Sequence, residues 1–286
     1  MMKKFNNILC MLEPNDTSES LLDRAVALAE SNNSKLKVVS VSPVFGAGLG
    51  VADAERFSTE IQDATVASYG QHLHDQVSKH LSRINIETKV LVGTSYIEVI
   101  REVLQEEHDL VIKSPDSQGW LERFVSSDDK NLLRKCPCPV FIVRPSKDKI
   151  FNSVLAAVDV SDGYPNEELL TRQALNDVVI ELSALLSESE RAELHIAQAW
   201  QATGETELRD GLFMHQTGDD VDKYVNTVKE HYQGLLDALM AKSGDSLVGV
   251  SQVDVHMPKG SARSEIPELA KKLNVDCIVM GTVART

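Results

Sequence analysis

The sequence is written twice, and a repeat in which strand and helix alternate leaves few folds open. Residues 7–12 (NILCML) form a short apolar run that ends at Glu13, and residues 153–158 (SVLAAV) form another that ends at Asp159. In each case a polar turn and a helical pattern follow. Leu21, Leu22, Ala25, Leu28 and Ala29 recur at helical spacing over residues 18–30, and Leu169, Leu170, Leu175, Val179 and Leu182 do so over residues 167–186. Second strands are expected at 35–41 (KLKVVSV) and 193–200 (ELHIAQAW), and long helices at 54–82 and 221–242. Third strands at 87–92 and 249–256 each lead to a glycine, Gly93 or Gly260, and a short helix. Matched phrases then close both copies, EEHDLVIK at 106–113 and LNVDCIVMG at 273–281.

Such alternation predicts βαβ units, and hence a parallel sheet with helices on both faces. The expected architecture is α/β, with two tandem doubly wound, Rossmann-like domains at residues 1–147 and 148–286. The charged stretch RPSKDKIF marks the junction. Asn7 matches Ser153 at an offset of 146 and Gly93 matches Gly260 at 167, so the second copy carries about twenty extra residues, placed by this reading at 201–220. Beyond its matched phrase the first copy continues through a loop, a short helix at 128–135 and a last strand at 139–143 (PVFIV). The second copy has no such strand, and its end suggests a shortened form of a longer chain.

The closing stretch 276–286 (DCIVMGTVART) begins as a strand buried on both faces and breaks at Gly281. A glycine there lets backbone amides turn toward an anion, and Thr282, Arg285 and Thr286 add donors. The net charge of −14 over 286 residues argues against nucleic acid or an anionic membrane as the main partner. No apolar run reaches the roughly 18 residues of a transmembrane helix. The opening MMKKFNNILCML reads as a first strand, not a signal peptide. Cys10 and Cys277 lie within strand runs, where cysteine behaves as a small hydrophobe, and the cysteine pattern suits a reduced, cytoplasmic setting.

Two halves in this order, with Cys-Pro-Cys-Pro-Val at 136–140 before the last strand, resemble the universal stress protein family and its two-domain members in particular. The resemblance covers essentially the whole chain. It implies five parallel strands per complete domain. It also implies ATP bound through Gly-x2-Gly-x9-Gly-Ser/Thr after the fourth strand, with an acidic residue closing the first strand beside the adenosine. In the first half the three glycine positions fall on Lys113, Asp116 and Ser126, with Ser127 as the final hydroxyl. Asp116 would set negative charge where phosphates should sit, so this half is expected to be a degenerate, structural partner. Glu13, followed by Pro14, stands at its acidic position. In the second half Asp159 matches the acidic position with Val158 beside it, Ala199 lines the adenine slot and Gly260 matches the small residue after the third strand. Gly281 matches the first glycine and Ala284 takes the place of the second. With Met280, Thr282, Arg285 and Thr286 these complete the implied nucleotide set.

The expected function is therefore that of a cytoplasmic stress-response protein holding ATP or a related adenine nucleotide in its second domain, with magnesium a candidate companion. Hydrolysis would be slow at most, because no general base declares itself. The halves are expected to pair as an internal pseudo-dimer, with a homodimer also open. Two alternatives stand beside this: a binder of an apolar or amphipathic small molecule, and a dimerising scaffold with no ligand. Phe57, Ile61, Val66, Trp120, Leu121, Phe213 and Met214 are read mainly as core, or else as the lining of such an apolar pocket. GAGLG at 46–50 follows the second strand and reads as a connection. Cys136 and Cys138 read as a turn into a strand and not as a zinc site. His72 and His74 point to different faces of one helix, with His80 further along it, which makes a shared metal improbable. His195 and His256 sit in or at the ends of strands as structural residues.

Overall fold

A computed structural model describes residues 5–14, 19–46, 52–115, 127–144, 151–210 and 217–282. They fall into two compact units, 5–144 and 151–282. In the first unit the strands are β1 (Asn7–Met11), β2 (Lys35–Ser42), β3 (Ile86–Val92), β4 (Leu110–Lys113) and β5 (Val140–Ile142). All are parallel, in the order β3-β2-β1-β4-β5. The helices α1 (Glu19–Asn32), α2 (Ala52–Ser78), α3 (Ser95–Glu106) and α4 (Ser127–Lys135) provide the crossovers. Strands β1 and β4 have Ile8, Leu9, Val111 and Ile112 fully buried, which is why both read as unbroken apolar runs rather than as alternating ones.

The second unit repeats the pattern with β6 (Ser153–Ala157), β7 (Glu193–Ala197), β8 (Val253–His256) and β9 (Cys277–Met280), parallel in the order β8-β7-β6-β9. Its helices are α5 (Asn166–Glu190), α6 (Glu205–Arg209), α7 (Gly218–Lys242) and α8 (Ala262–Lys272). The expected strand at 249–256 is shorter, because a 3-10 helix, Gly244–Leu247, occupies the approach to it. The strand expected to reach Trp200 ends at Ala197, and Trp200 keeps a single bridge to Lys259. On α2 the expectation of core packing fails for Phe57 and Ile61, both exposed, while Val66 is half-buried. Trp120, Leu121, Phe213 and Met214 lie outside the described residues.

The extra length of the second unit is divided between two places. Asn7 pairs with Lys35 across 28 residues but Ser153 pairs with Glu193 across 40, so most of the excess precedes β7. Helix α5 accounts for it, with 25 residues against 14 in α1. The two helices end alike, followed by Asn33 and Arg191 at φ 54° and 58°. Counted back from these matched ends, residues 166–172 of α5 stand opposite residues 8–14, which lie in β1 and the turn after it, so α5 reaches at least seven residues further at its amino end. The remainder falls between β7 and α7, where α6 packs Leu208 toward Trp200, Ala202, Val221 and Val225. Gly93 and Gly260 confirm the repeat: φ is 152° and 146°, and a Cβ on either would lie 2.5 Å from a carboxylate oxygen, of Glu98 and Glu265 respectively.

Beneath α3 and α8 the two sheets carry charge in matching places. Lys37, Glu87 and Lys89 of the first unit correspond to His195, Asp254 and His256 of the second, by register and by the offset between units. Lys37 Nζ lies 3.1 Å from Glu102 and Lys89 Nζ 2.6 Å from it, with Glu102 on α3 only 1% exposed. Burial works against the Glu102 charge, but hydrogen bonds from Lys89 and Lys37 hold its pKa below the ordinary carboxylate value. In the second unit Leu269 stands where Glu102 does. His256 Nε2 and His195 Nδ1 approach to 3.1 Å and share one proton, and the neighbouring charges are Glu193, Asp254 and Lys272. Burial, and then His195, lower the His256 pKa. Burial likewise lowers that of His108 in the first unit, a backbone contact with Asn7 opposing it.

A histidine whose folded pKa lies below its unfolded value of about 6.5 binds its proton more readily when unfolded. Its contribution to stability is complete above that value and is lost as pH falls through the folded one. The chain should therefore lose thermal stability as pH falls below about 6.5. His256→Gln should flatten that slope in part and His256→Gln with His108→Leu flatten it further, as read by melting temperature against pH.

Candidate functional site

In an open parallel sheet ligands bind at the carboxyl ends of the strands, where the strand order turns back on itself. In the second unit that point lies between β6 and β9, where Ala157 pairs with Met280. Val158 and Asp159 thus leave the sheet beside Gly281 and Thr282. Ala199 and Gly260 follow β7 and β8 at the same end, so the structure gathers these expected site residues on one edge. Ala284, Arg285 and Thr286 lie outside the described residues. Gly260 N–H donates to the Trp200 carbonyl at 2.8 Å, which fixes the loop after β8 to the loop after β7.

Asp159 is held from every side. Its backbone N–H donates to Asn176 Oδ1 at 3.0 Å, and its carbonyl accepts from Asn176 Nδ2 at 2.8 Å. Its carboxylate accepts from the Ser161 amide at 3.1 Å, from the Tyr164 hydroxyl at 3.4 Å and from Arg172 Nη1. Arg172 is also gripped by Glu168, with Nε at 3.0 Å and Nη2 at 2.7 Å, and its guanidinium lies 3.6 Å from the centre of the Tyr164 ring. Burial acts against the Arg172 charge, but Glu168 and Asp159 outweigh it and raise its pKa. The Val160 amide donates to the buried Gln198 Oε1 at 2.8 Å.

The three residues that close on this edge from α5 lie in its amino-terminal half. Arg172 takes the Asp159 carboxylate, Asn176 brackets the Asp159 backbone, and Leu175 packs over Gly281. A Cβ on Gly281 would come within 3.3 Å of Leu175 Cβ. A side chain there would press on the helix, which would have to give by a few tenths of an ångström. A cleft of about 310 Å³ opens between α5 and α7 beside Asp159. Leu169, Leu235 and Leu239 supply its apolar wall, and Arg172 and Lys242 its cations. Lys242 is paired with Asp177 at 2.6 Å, and His231 with Asp162 at 2.9 Å.

Tyr164, Arg172, Asn176 and Gln198 were not among the expected site residues. The one local signal for Arg172 is its spacing of four from Glu168. Its reach to Asp159 depends on where the helix extension lies.

The matching point of the first unit, between β1 and β4, is filled from within. Met11 pairs with Lys113, whose ammonium lies 2.5 Å from Asp129 in the first turn of α4. The two residues are 1% and 0% exposed. The carboxylate thus sits at the helix end that would otherwise attract an anion. Asp116 and Ser126 lie outside the described residues. Among the described residues no group of three or more histidine, cysteine or acidic side chains could hold a metal ion.

A family model described as the universal stress protein family matches residues 4–144. The first unit belongs to the universal stress protein family. Over its whole length the chain is similar to Universal stress protein E of Escherichia coli strain K12, with 25% identity over 288 residues, covering 100% of this chain and 87% of that protein. It is similar also to the Universal stress protein E homolog of Haemophilus influenzae, with 25% identity over 291 residues, covering 99% and 89%. Two solved structures share the fold. One is a protein of unknown function from Pseudomonas aeruginosa PAO1, with TM-score 0.65, 23% identity and coverage of 100% and 84%. The other is a universal stress protein from Archaeoglobus fulgidus, with TM-score 0.57, 15% identity and coverage of 96% and 86%. The chain is thus built as a tandem, E-like universal stress protein with a smaller second sheet.

Replacing Asp129 by leucine leaves Lys113 buried without its carboxylate and should cost about 3–5 kcal/mol in urea unfolding. Adding Lys113→Met should restore most of that loss.

Proposed function

We propose that this is a cytoplasmic stress-response protein whose second unit binds ATP or a related adenine nucleotide at the carboxyl edge of its sheet, while the first unit serves as structure. The observation that carries this reading is the convergence of Asp159, Ala199, Gly260 and Gly281 on one edge, at the reversal of strand order. Ligands of open α/β sheets sit at such a point. The paired Lys113 and Asp129 at the equivalent point of the first unit support the division of labour.

In this reading Asp159 accepts from the adenosine, and Gly281 and Thr282 offer donors to phosphate, with Ala284, Arg285 and Thr286 completing the set and magnesium accompanying the phosphates. The bond between Arg172 and Asp159 is then a latch that the nucleoside displaces. Arg172 already holds the Asp159 carboxylate, and among the described residues no general base is set out at this edge, so in this reading hydrolysis is slow. The pairing of the two halves as a pseudo-dimer, and of two chains as a homodimer, belongs to the same proposal. So does the setting without a membrane, which is supported by the finding that no helix among the described residues is long and apolar enough to cross one.

A second reading rests on the cleft between α5 and α7, whose leucine wall suits an apolar or amphipathic small molecule, its cations Arg172 and Lys242 being already paired with Asp159 and Asp177. A fatty-acid probe that binds saturably and is indifferent to ATP would favour it.

The nucleotide reading predicts a thermal shift with ATP or AMP, equivalent to about 2.7 kcal/mol when the ligand stands at a hundred times its Kd. Asp159→Asn should weaken binding at least about tenfold, the loss of a charged hydrogen bond. Arg172→Gln should tighten it about fivefold, in keeping with the strength of a partly exposed ion pair. No shift at millimolar nucleotide would refute the proposal.

A further inference from the structure

Two cysteines face each other in the first unit, away from the strand tips. Cys136 follows α4 and Cys138 precedes β5, with the exposed Pro137 between them. Their sulfurs are 3.7 Å apart. Residues two apart in extended backbone share a face, and a following proline drives the residue before it into that conformation. Each cysteine here precedes a proline, Pro137 or Pro139.

The turn is tied at both ends. Cys136 N–H donates to the Leu132 carbonyl at 2.9 Å, and the Pro139 carbonyl accepts from Val111 N–H at 3.0 Å. One wall is the core that includes Val111 and Leu132. Both cysteines nonetheless stay half-buried, whereas Cys10 and Cys277 are buried in strands. Among the described residues no third metal-binding side chain joins the pair. Two thiols in contact, reachable from solvent and lacking a further ligand, suit oxidation to a disulfide better than they suit metal binding.

We infer that Cys136 and Cys138 form a peroxide-reactive dithiol, with Cys136 the attacking sulfur and Cys138 the resolving one. The 3.7 Å contact, in which either sulfur could donate, carries the pairing, and the direction of the two pKa shifts adds the choice of Cys136 as the attacking one. The Cys138 thiol lowers the pKa of Cys136, burial opposing it, and the same contact together with burial raises that of Cys138. The reactive form of a thiol is its thiolate. The Cys136 thiolate attacks one oxygen of hydrogen peroxide. An S–O bond forms, the O–O bond breaks, and the departing hydroxide takes up a proton to become water. The Cys138 sulfur then attacks the Cys136 sulfenic acid. The S–S bond forms, the S–O bond breaks, and the Cys138 proton leaves with the oxygen as a second water. Two thiols are oxidised by two electrons and one peroxide is reduced. A dithiol reductant of the thioredoxin class reverses the step.

The test is peptide mapping of the full chain after brief exposure to hydrogen peroxide and alkylation under denaturing, non-reducing conditions. The fragment spanning both cysteines should be about 2 Da lighter than its reduced form and refuse alkylation, while Cys10 and Cys277 are alkylated in full. Cys138→Ser should stop at a sulfenic acid trapped by dimedone, formed at the wild-type rate. Cys136→Ser and Cys136→Ala should react at least about tenfold more slowly. The inference is overturned if the wild-type fragment keeps two alkylatable thiols, if the disulfide joins other cysteines, or if Cys136→Ser and Cys136→Ala react as fast as wild type.

Discussion

A strand buried on both faces leaves a charged side chain nowhere to go except against an opposite charge. That constraint shapes every polar feature of this protein's two sheets. Lys37 survives within β2 because Glu102 comes down from α3 to meet it. Lys113 survives at the end of β4 because Asp129 waits in the first turn of α4. In the second sheet two histidines take the place of two lysines and manage with one shared proton, while the helix above presents leucine in place of glutamate.

The same rule accounts for the divergence of the two strand-reversal points. In the first unit the lysine and its aspartate complete the interior, and a ligand would have to displace a pair that is already desolvated. In the second, Asp159 also has its cation, but 39% of its side chain is exposed against 13% for Arg172. The carboxylate and the guanidinium both line the cleft. A closed point in one unit and a latched point in the other follow from how deeply each pair is buried.

Much of the fold was legible because buried parallel strands write themselves as apolar runs. Residues 7–12 and 153–158 were placed as strands from their letters alone, and the glycines at 93 and 260 marked the turn after the third strand in both units. The strand at 249–256 was read too long because Val248, Gly249 and Val250 carry strand-like residues with no partner in the sheet. Phe57 and Ile61 were read as core because composition does not reveal which stripe of a long helix meets the sheet. The pairing of Asp159 with Gly281 was implied by the resemblance to universal stress proteins, and the strand order sets both at one edge. The grip of Arg172 was not legible, since nothing in a Glu-x3-Arg spacing tells where the helix that bears it will begin.

The lengthening of the second unit's first helix has a geometric corollary. Helix α5 reaches at least seven residues, about two whole turns, past the point that matches the turn after β1. Growth by whole turns returns each apolar residue to the azimuth it had before, so the seam against the sheet continues unbroken into the added segment. Because the addition lies at the amino end, the left-handed residue that ends the helix still delivers the chain to β7 in its old alignment with β6. A domain of this kind can thus acquire a roof over the carboxyl edge of its sheet in helical increments while the strands beneath stay where they were.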